Sequence, residues 1–312
     1  MTRRASGGEA ETVTTRQTFR LAFFSDPHLG PLPVIRLRTL ASKRVTGWLN
    51  WRLMRKAHYD MAALDLLLDD MIASAPDHIV CGGDIANLGL PEEFRAAATL
   101  LARLGDAEHV SLVPGNHSLY VRKSVAPMFA ILGEWMTGDG EKGPVFPYVR
   151  RRGCIALIGL NSATPTHAFN ATGLLGERQI EAARALLKAL KAERLCRVVV
   201  VHHPPHVGGA TFDRRLRDAA AFEAMLADAG AELVLHGHNH VTSVAHRAGG
   251  GSSTPIVGVG SASEFNIARG RRPVWLRIDI ACGDQDDCEL TIVERKIADD
   301  GSVSTHPLTL AR

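Results

Sequence analysis

Short apolar runs alternate with helically spaced ones along the first three-quarters of the chain. RLAFF (20–24), HIVC (78–81), HVSLV (109–113), CIALIGL (154–160), RVVVV (197–201) and AELVL (231–235) read as buried strands. Between 59 and 74, Met61, Leu64, Leu68, Met71 and Ile72 recur at helical spacing, and Pro76 ends the run. A second helix opens at Pro91-Glu92-Glu93, residue types that suit a first turn, and extends to 104. Segments 176–191 and 215–230 are amphipathic, the second closing on a capping glycine. From about 252 the pattern changes. TPIVGVGSAS, PVWLRIDIA, CELTIVERKI and SVSTHPLTL follow one another as strands with no helix between them, which predicts an antiparallel finish. The pattern as a whole predicts an α/β protein with two packed sheets flanked by helices, in one domain over 19–312. Residues 1–18 read as a disordered or loosely attached polar tail.

Composition narrows the class. The 312 residues are 46% hydrophobic with a net charge of +3, enough apolar matter for a sizeable core and too little charge to imply nucleic acid. No run approaches the ~18 apolar residues of a membrane span. The opening residues lack the apolar stretch of a signal peptide. The five cysteines are scattered without a CxxC pair. Cys81, Cys154 and Cys196 sit in or beside apolar runs, and Cys282 and Cys288 flank the acidic turn GDQDD, where they could face each other across a hairpin. That spacing argues against a disulfide framework and against a zinc–cysteine site. A reducing cytoplasm is the expected compartment.

The chemistry lies just beyond the strands. After the successive runs come Ser25-Asp26-Pro27-His28, Gly82-Gly83-Asp84, Pro114-Gly115-Asn116-His117, His202-His203-Pro204-Pro205 and Gly237-His238-Asn239-His240. Five strand ends thus each deliver Asp, Asn or His, and α/β sheets gather ligands beyond the carboxyl ends of their strands. Asp26 and His28, two apart in an expected extended segment, point to one side; so do His238 and His240. Glycines beside these residues permit sharp turns. Carboxylate, amide and imidazole without thiolate suit Mn, Fe, Zn or Ni better than Ca or Mg. Seven ligands exceed the needs of one ion and suffice for two that share a carboxylate. Paired ions about 3.5–4 Å apart clamp the attacking and leaving oxygens of a displacement at phosphorus.

This ordered set, from Asp26 to His240, resembles the calcineurin-like metallophosphoesterase family. The resemblance implies a four-layer α/β/β/α sandwich of two mixed sheets around a binuclear site for two divalent metal ions. It implies that Asp26, His28, Asp84 and His240 hold one ion. Asp84 then bridges to the other, which Asn116, His202 and His238 complete. His117 matches the family's non-ligand histidine beside the substrate, which protonates the leaving group or stabilises the transition state. The implied reaction is hydrolysis of a phosphodiester by a metal-bound hydroxide. One position departs from the pattern: the family usually has Asp or Glu after Gly-Asn-His, and this chain has Ser118, which cannot favour imidazolium by charge.

The His-His-Pro-Pro loop and compact length look most like the class III cyclic-nucleotide phosphodiesterase branch. The alternative is a UDP-sugar-lipid pyrophosphatase or phospholipid phosphodiesterase at a membrane surface. Lipid A pyrophosphatases of this fold usually carry Asn-Arg where this chain has Asn116-His117. A nuclease would need a basic groove that the neutral segment past His240 does not suggest, and a metal-free scaffold would have lost ligands that are all present here. His203 and His206 lie near enough in sequence to touch substrate or support the ligands. The insertion 31–59 carries Trp48, Trp51 and seven Arg or Lys residues, with no acid between Asp26 and Asp60. If 43–57 is helical, Val45, Leu49 and Leu53 share one face and Arg44, Trp48, Trp51 and Arg55 the neighbouring one. The first face would anchor a surface helix. The second, with Arg44 and Arg55, would grip an anionic phosphate ester or bring the protein into peripheral contact with an anionic membrane.

Overall fold

The computed structural model describes residues 16–40, 42–283 and 288–310. Most of the N-terminal tail, residues 1–15, and residues 284–287 of the acidic turn lie outside the described residues. The strands run in chain order as β1 (Gln17–Phe24), β2 (His78–Cys81), β3 (Val110–Leu112), β4 (Tyr148–Arg152), β5 (Ile155–Gly159), β6 (Cys196–Val200) and β7 (Leu233–His236). They continue as β8 (Ser243–Gly249), β9 (Ser252–Gly258), β10 (Val274–Cys282), β11 (Cys288–Ile297) and β12 (Val303–Leu308). The helices are α1 (Leu37–Leu40), α2 (Arg44–Asn50), α3 (Met61–Ala73), α4 (Pro91–Leu104), α5 (Arg122–Leu132), α6 (Glu177–Ala192) and α7 (Ala219–Ala229).

Two six-stranded sheets result, in the orders β12-β11-β10-β1-β2-β3 and β4-β5-β6-β7-β9-β8. Alternation along the strands shows how they pack. Leu157, Val198, Val200, Leu233, Leu235 and Val257 join one core with Leu21, Phe23 and Leu276 of the first sheet. Their neighbours Ala156, Ile158, Val199, Val234 and Ile256 join a second core with Leu187 of α6 and Phe222 of α7. Strands buried on both faces read as continuous apolar runs, which is why those runs were conspicuous in the sequence. On the first sheet, the Trp275 indole of β10 donates to Asp70 of α3. Helices therefore cover both outer faces of two mixed sheets, the layering that the resemblance implied.

Local chemistry sets several boundaries. Asp60 caps α3 by accepting from the N–H groups of Ala62 and Ala63. Pro91 opens α4, and the buried Glu93 carboxylate reaches back to the N–H groups of Asn87, Leu88 and Leu90. Strand β1 starts at Gln17, opposite Cys282, so two residues of the expected tail belong to the sheet. Of the four late strands, β10, β11 and β12 follow one another antiparallel. Strand β9 instead lies parallel to β7 in the second sheet, and its hairpin partner β8 is too mixed in polarity to have signalled a strand.

The insertion is helical, but its faces are the reverse of the expected ones. Val45, Leu49, Leu53 and Met54 are exposed, Leu53 at 74%. Arg44 is buried and donates to the carbonyls of Leu88 and Gly89 and to the Ser124 hydroxyl. Trp48 packs against Leu88, Leu90 and Tyr120. The Arg/Trp row wins the inner side because the loop beneath it offers carbonyl oxygens that need donors, which aliphatic side chains cannot supply. After α2 the chain passes through a π-helical turn over Trp51–Arg55, which delivers Arg55 over the ends of the strands.

Candidate metal centre

The chemistry-bearing loops all leave the same ends of parallel strands. Asp26 and His28 follow β1, Asp84 follows β2, Asn116 and His117 follow β3, His202 follows β6, and His238 and His240 follow β7. The structure brings all of these side chains together, and all but His117 are buried. Two ligand clusters are formed, Asp26–His28–His240 and Asp84–His202–His238, and Asp84 also groups with His28 and His117. The Asn116 Oδ1 lies 3.2 Å from His202 Nε2, beside the second cluster.

The expected extended geometry is absent. Asp26, His28, Asp84, His238 and His240 all have positive φ, between 40° and 71°. A non-glycine residue in this region carries backbone strain, and such residues cluster at functional sites. Each member of a pair is thus aimed by a tight turn. His238 and His240, two apart, enter different clusters. Glycine is required beside them: a Cβ on Gly115 would collide with Asp84 Oδ1, and one on Gly237 with Asp26 Oδ2.

Hydrogen bonds orient the ligands. His28 Nδ1 faces Ala86 O at 3.3 Å, His202 Nδ1 faces Gly82 O at 2.9 Å, and His240 Nδ1 faces Glu264 Oε2 at 2.7 Å. With those nitrogens donating, the Nε2 lone pairs face inward. The His28 and His240 Nε2 atoms are then 3.3 Å apart, and His240 Nε2 lies 3.2 Å from Asp26 Oδ1. His202 Nε2 lies 3.3 Å from both Asp84 Oδ2 and His238 Nδ1. Asp26 Oδ2 accepts the His238 N–H, while buried Oδ1 has no hydrogen-bond partner. Neighbouring ligands ~2.1 Å from an octahedral ion stand ~3.0 Å apart, so these spacings fit a shared cation. The donor set fits two.

Electrostatics agree. Burial alone would raise Asp84, yet His202 and His117 hold its carboxyl well below the usual range. Asp26 is likewise depressed: burial raises it, and His240 and His202 together outweigh that. Burial pulls His202 down, and Asp84, with Asp26 and the Gly82 carbonyl, more than reverses it, to about 9. A cation entering here competes with that proton and releases it.

His117 stands beside the clusters. Its Nδ1–H donates to Asn87 O at 2.7 Å, Arg55 donates to its Nε2 at 3.1 Å, and its ring stacks on Tyr120. Burial, then the Arg55 charge, lowers it to about 4. Ser118 is not its partner: the hydroxyl is buried and makes no hydrogen bond. A backbone carbonyl, Asn87 O, performs the orienting task expected of an acid at that position. His203 is held by Ser162 Oγ and Ala171 O, its ring 4.5 Å from that of His238. His206 enters none of the ligand clusters among the described residues. Arg44 clamps the 88–89 loop instead of reaching the rim, and Arg55 reaches the centre.

Sequence reasoning missed Glu264, Asn87 and Tyr59. Glu264 binds His240 and is itself held by Arg271 at 2.8 Å; against burial, His240 and Arg271 pull it down to about 2. It is the only acid between Glu232 and Asp279, and it follows β9, so the strand-end rule applied once more would have found it. The Tyr59 ring lies 5.0 Å from His28.

A family model for calcineurin-like phosphoesterases matches residues 19–242. No curated protein matches the chain significantly. Among solved structures, a dimetal phosphatase from Danio rerio superposes with a TM-score of 0.58 at 14% identity, covering 94% of this chain and 99% of that one. A purple acid phosphatase from yellow lupin (Lupinus luteus) seeds gives 0.56 at 12% identity, over 93% of this chain and 53% of that one. A 5'-nucleotidase precursor from Thermus thermophilus gives 0.51 at 15%, over 94% and 54%. At such identities the superpositions establish the fold. With the family model spanning most of its length, the chain belongs to the calcineurin-like phosphoesterases, which use a dinuclear divalent metal centre.

Proposed function

We propose that this protein is a dimetal phosphodiesterase in which Asp26, His28, His240 and Asp84 hold one ion and Asp84, Asn116, His202 and His238 the other. One observation carries the reading: buried lone pairs converge at 3.2–3.3 Å around Asp84 and Asp26, with the opposite nitrogens of three histidines tied to oxygen. Bound divalent ions such as Mn, Fe or Zn supply Lewis acidity and an activated water. The chain's own residues do the rest. Glu264, Ala86 O and Gly82 O fix the imidazoles, which holds the ligands in one geometry. Arg55, which donates to His117 Nε2 beside the clusters, supplies a cation for the charge that develops on the phosphoryl oxygens. Asn87 O holds His117 with Nε2 directed at the site.

A substrate panel tests this with Mn2+-loaded protein: cyclic nucleotides, bis(p-nitrophenyl) phosphate, p-nitrophenyl phosphate, UDP-sugar lipids and single-stranded DNA. The expected result is chelator-sensitive hydrolysis with kcat/KM higher for bis(p-nitrophenyl) phosphate than for the monoester. A monoester preference would overturn the diester assignment. Cyclic-nucleotide turnover would support the class III phosphodiesterase-like branch.

A second reading, a phosphoester presented by an anionic membrane, is favoured by the inverted helix. The segment that sends Arg55 into the site exposes Leu49, Leu53 and Met54 beside Arg52 and Lys56. No described helix is long and apolar enough to cross a membrane, and the contact this reading proposes is peripheral. Leu53→Ser with Met54→Ser is expected to weaken binding to phosphatidylglycerol vesicles at least ~10-fold, since two exposed apolar side chains contribute about 1.5–3 kcal/mol each when buried. Turnover of bis(p-nitrophenyl) phosphate should stay unchanged. Equal vesicle binding by the variant and the parent would remove the membrane reading.

A further inference from the structure

Four of the five cysteines gather at the end of the sandwich opposite the metal centre, contrary to the scattered arrangement their spacing suggested. Cys196 is the first residue of β6, in the second sheet. Cys282 ends β10 and Cys288 begins β11, in the first sheet, and the two are register partners. Cys154 sits in the β4–β5 turn, where its carbonyl accepts from Cys196 N–H at 3.0 Å and from the Cys282 thiol at 3.6 Å. The sulfurs of Cys196, Cys282 and Cys288 all lie within 4.8 Å of one another. No sequence motif marks the cluster, because its members come from separate strands of two sheets.

We infer that Cys196, Cys282 and Cys288 form a second, thiolate metal site for one zinc-type divalent cation, which ties the two sheets together. A water would complete the coordination, because Cys154 stands outside the sulfur group and its thiol donates to Gln17 O at 3.8 Å. The spacing discriminates between the two fates of such thiols. Cys282 and Cys288 sulfurs are 3.7 Å apart. A disulfide needs ~2.05 Å and would leave the Cys196 thiol without a role. Thiolates ~2.3 Å from a tetrahedral ion stand ~3.8 Å apart. An ion can reach it: Cys288 lines a surface cleft of about 620 Å³ together with Glu232, Glu289 and His246. The Nε2 of His246 has no hydrogen-bond partner. Binding displaces the thiol protons to solvent and leaves the oxidation state of sulfur unchanged.

Cobalt distinguishes this site from the dimetal centre, whose ligands are nitrogen and oxygen alone. Reduced full-length protein titrated with Co2+ is expected to take a third equivalent that carries a sulfur-to-cobalt charge-transfer band in the near ultraviolet. The band should persist in Asp84→Asn and vanish in Cys196→Ser with Cys288→Ser, while turnover of bis(p-nitrophenyl) phosphate by that double variant stays near the parent's. Zinc should also protect Cys288 of the parent from iodoacetamide, a readout that needs no variant to fold. A cobalt-saturated parent without the band, a band that survives the double substitution, or alkylation of Cys288 that ignores zinc would each overturn the assignment.

Discussion

Asp84→Asn is expected to abolish turnover and to lower the content of both ions at the dimetal centre. Losing an outer partner of a metal ligand costs roughly 10–100-fold in affinity or activity, and loss of a shared ligand should exceed that. Among the described residues the Asp84 carboxylate groups with side chains of both clusters, His28 on one side and His202 on the other. Its Oδ1 also accepts the His117 N–H at 2.7 Å. An amide oxygen can keep that hydrogen bond, and Asn adopts the φ of 49° as readily as Asp, so the backbone should stay as it is. The substitution thus removes charge and one oxygen donor with little else disturbed. It also removes the carboxylate that raises His202, so the remaining imidazole should lose its proton more easily. Metal analysis after dialysis against limiting Mn2+, with circular dichroism to confirm the fold, checks the prediction. Two equivalents of tightly held metal in Asp84→Asn would falsify the bridging role.

The parts of this arrangement that could be read in the sequence share one physical cause. Strands covered on both faces must be apolar throughout, so β1, β2, β5, β6 and β7 announced themselves, and the residues after them marked the site. What was not legible depended on contacts between distant segments. The ligands reach inward through left-handed turns and not along extended chain, which period-two reasoning cannot see. The faces of α2 were assigned by hydrophobicity, but buried carbonyls at Leu88 and Gly89 drew Arg44 inside. Ser118 looked like a defect at His117 only while the orienting acceptor was sought in the next residue; it is Asn87 O, thirty positions earlier. The cysteine cluster needs two sheets to exist.

His117→Ala is expected to lower kcat by about 10²–10⁴-fold, the usual contribution of an acid–base partner, while both ions remain bound. The ring is placed for this. It lies 4.9 Å from the His28 ring, and its Nδ1 is committed to Asn87 O, which leaves Nε2 for the substrate side. If His117 delivers a proton to the departing oxygen, p-nitrophenolate, which leaves without help, should show the smaller loss and an alkoxide the larger. Equal losses would assign His117 to electrostatic support instead. Arg55 decides how the two residues share the work. It donates to His117 Nε2 and opposes a positive charge on that ring, so the pair acts as one device: the guanidinium must turn toward the phosphoryl group before Nε2 is free. Arg55→Ala should therefore lower kcat too, and the double variant should lose much less than the product of the single losses, the mark of coupled residues. A double variant whose losses simply multiply would show that Arg55 and His117 act on the substrate independently.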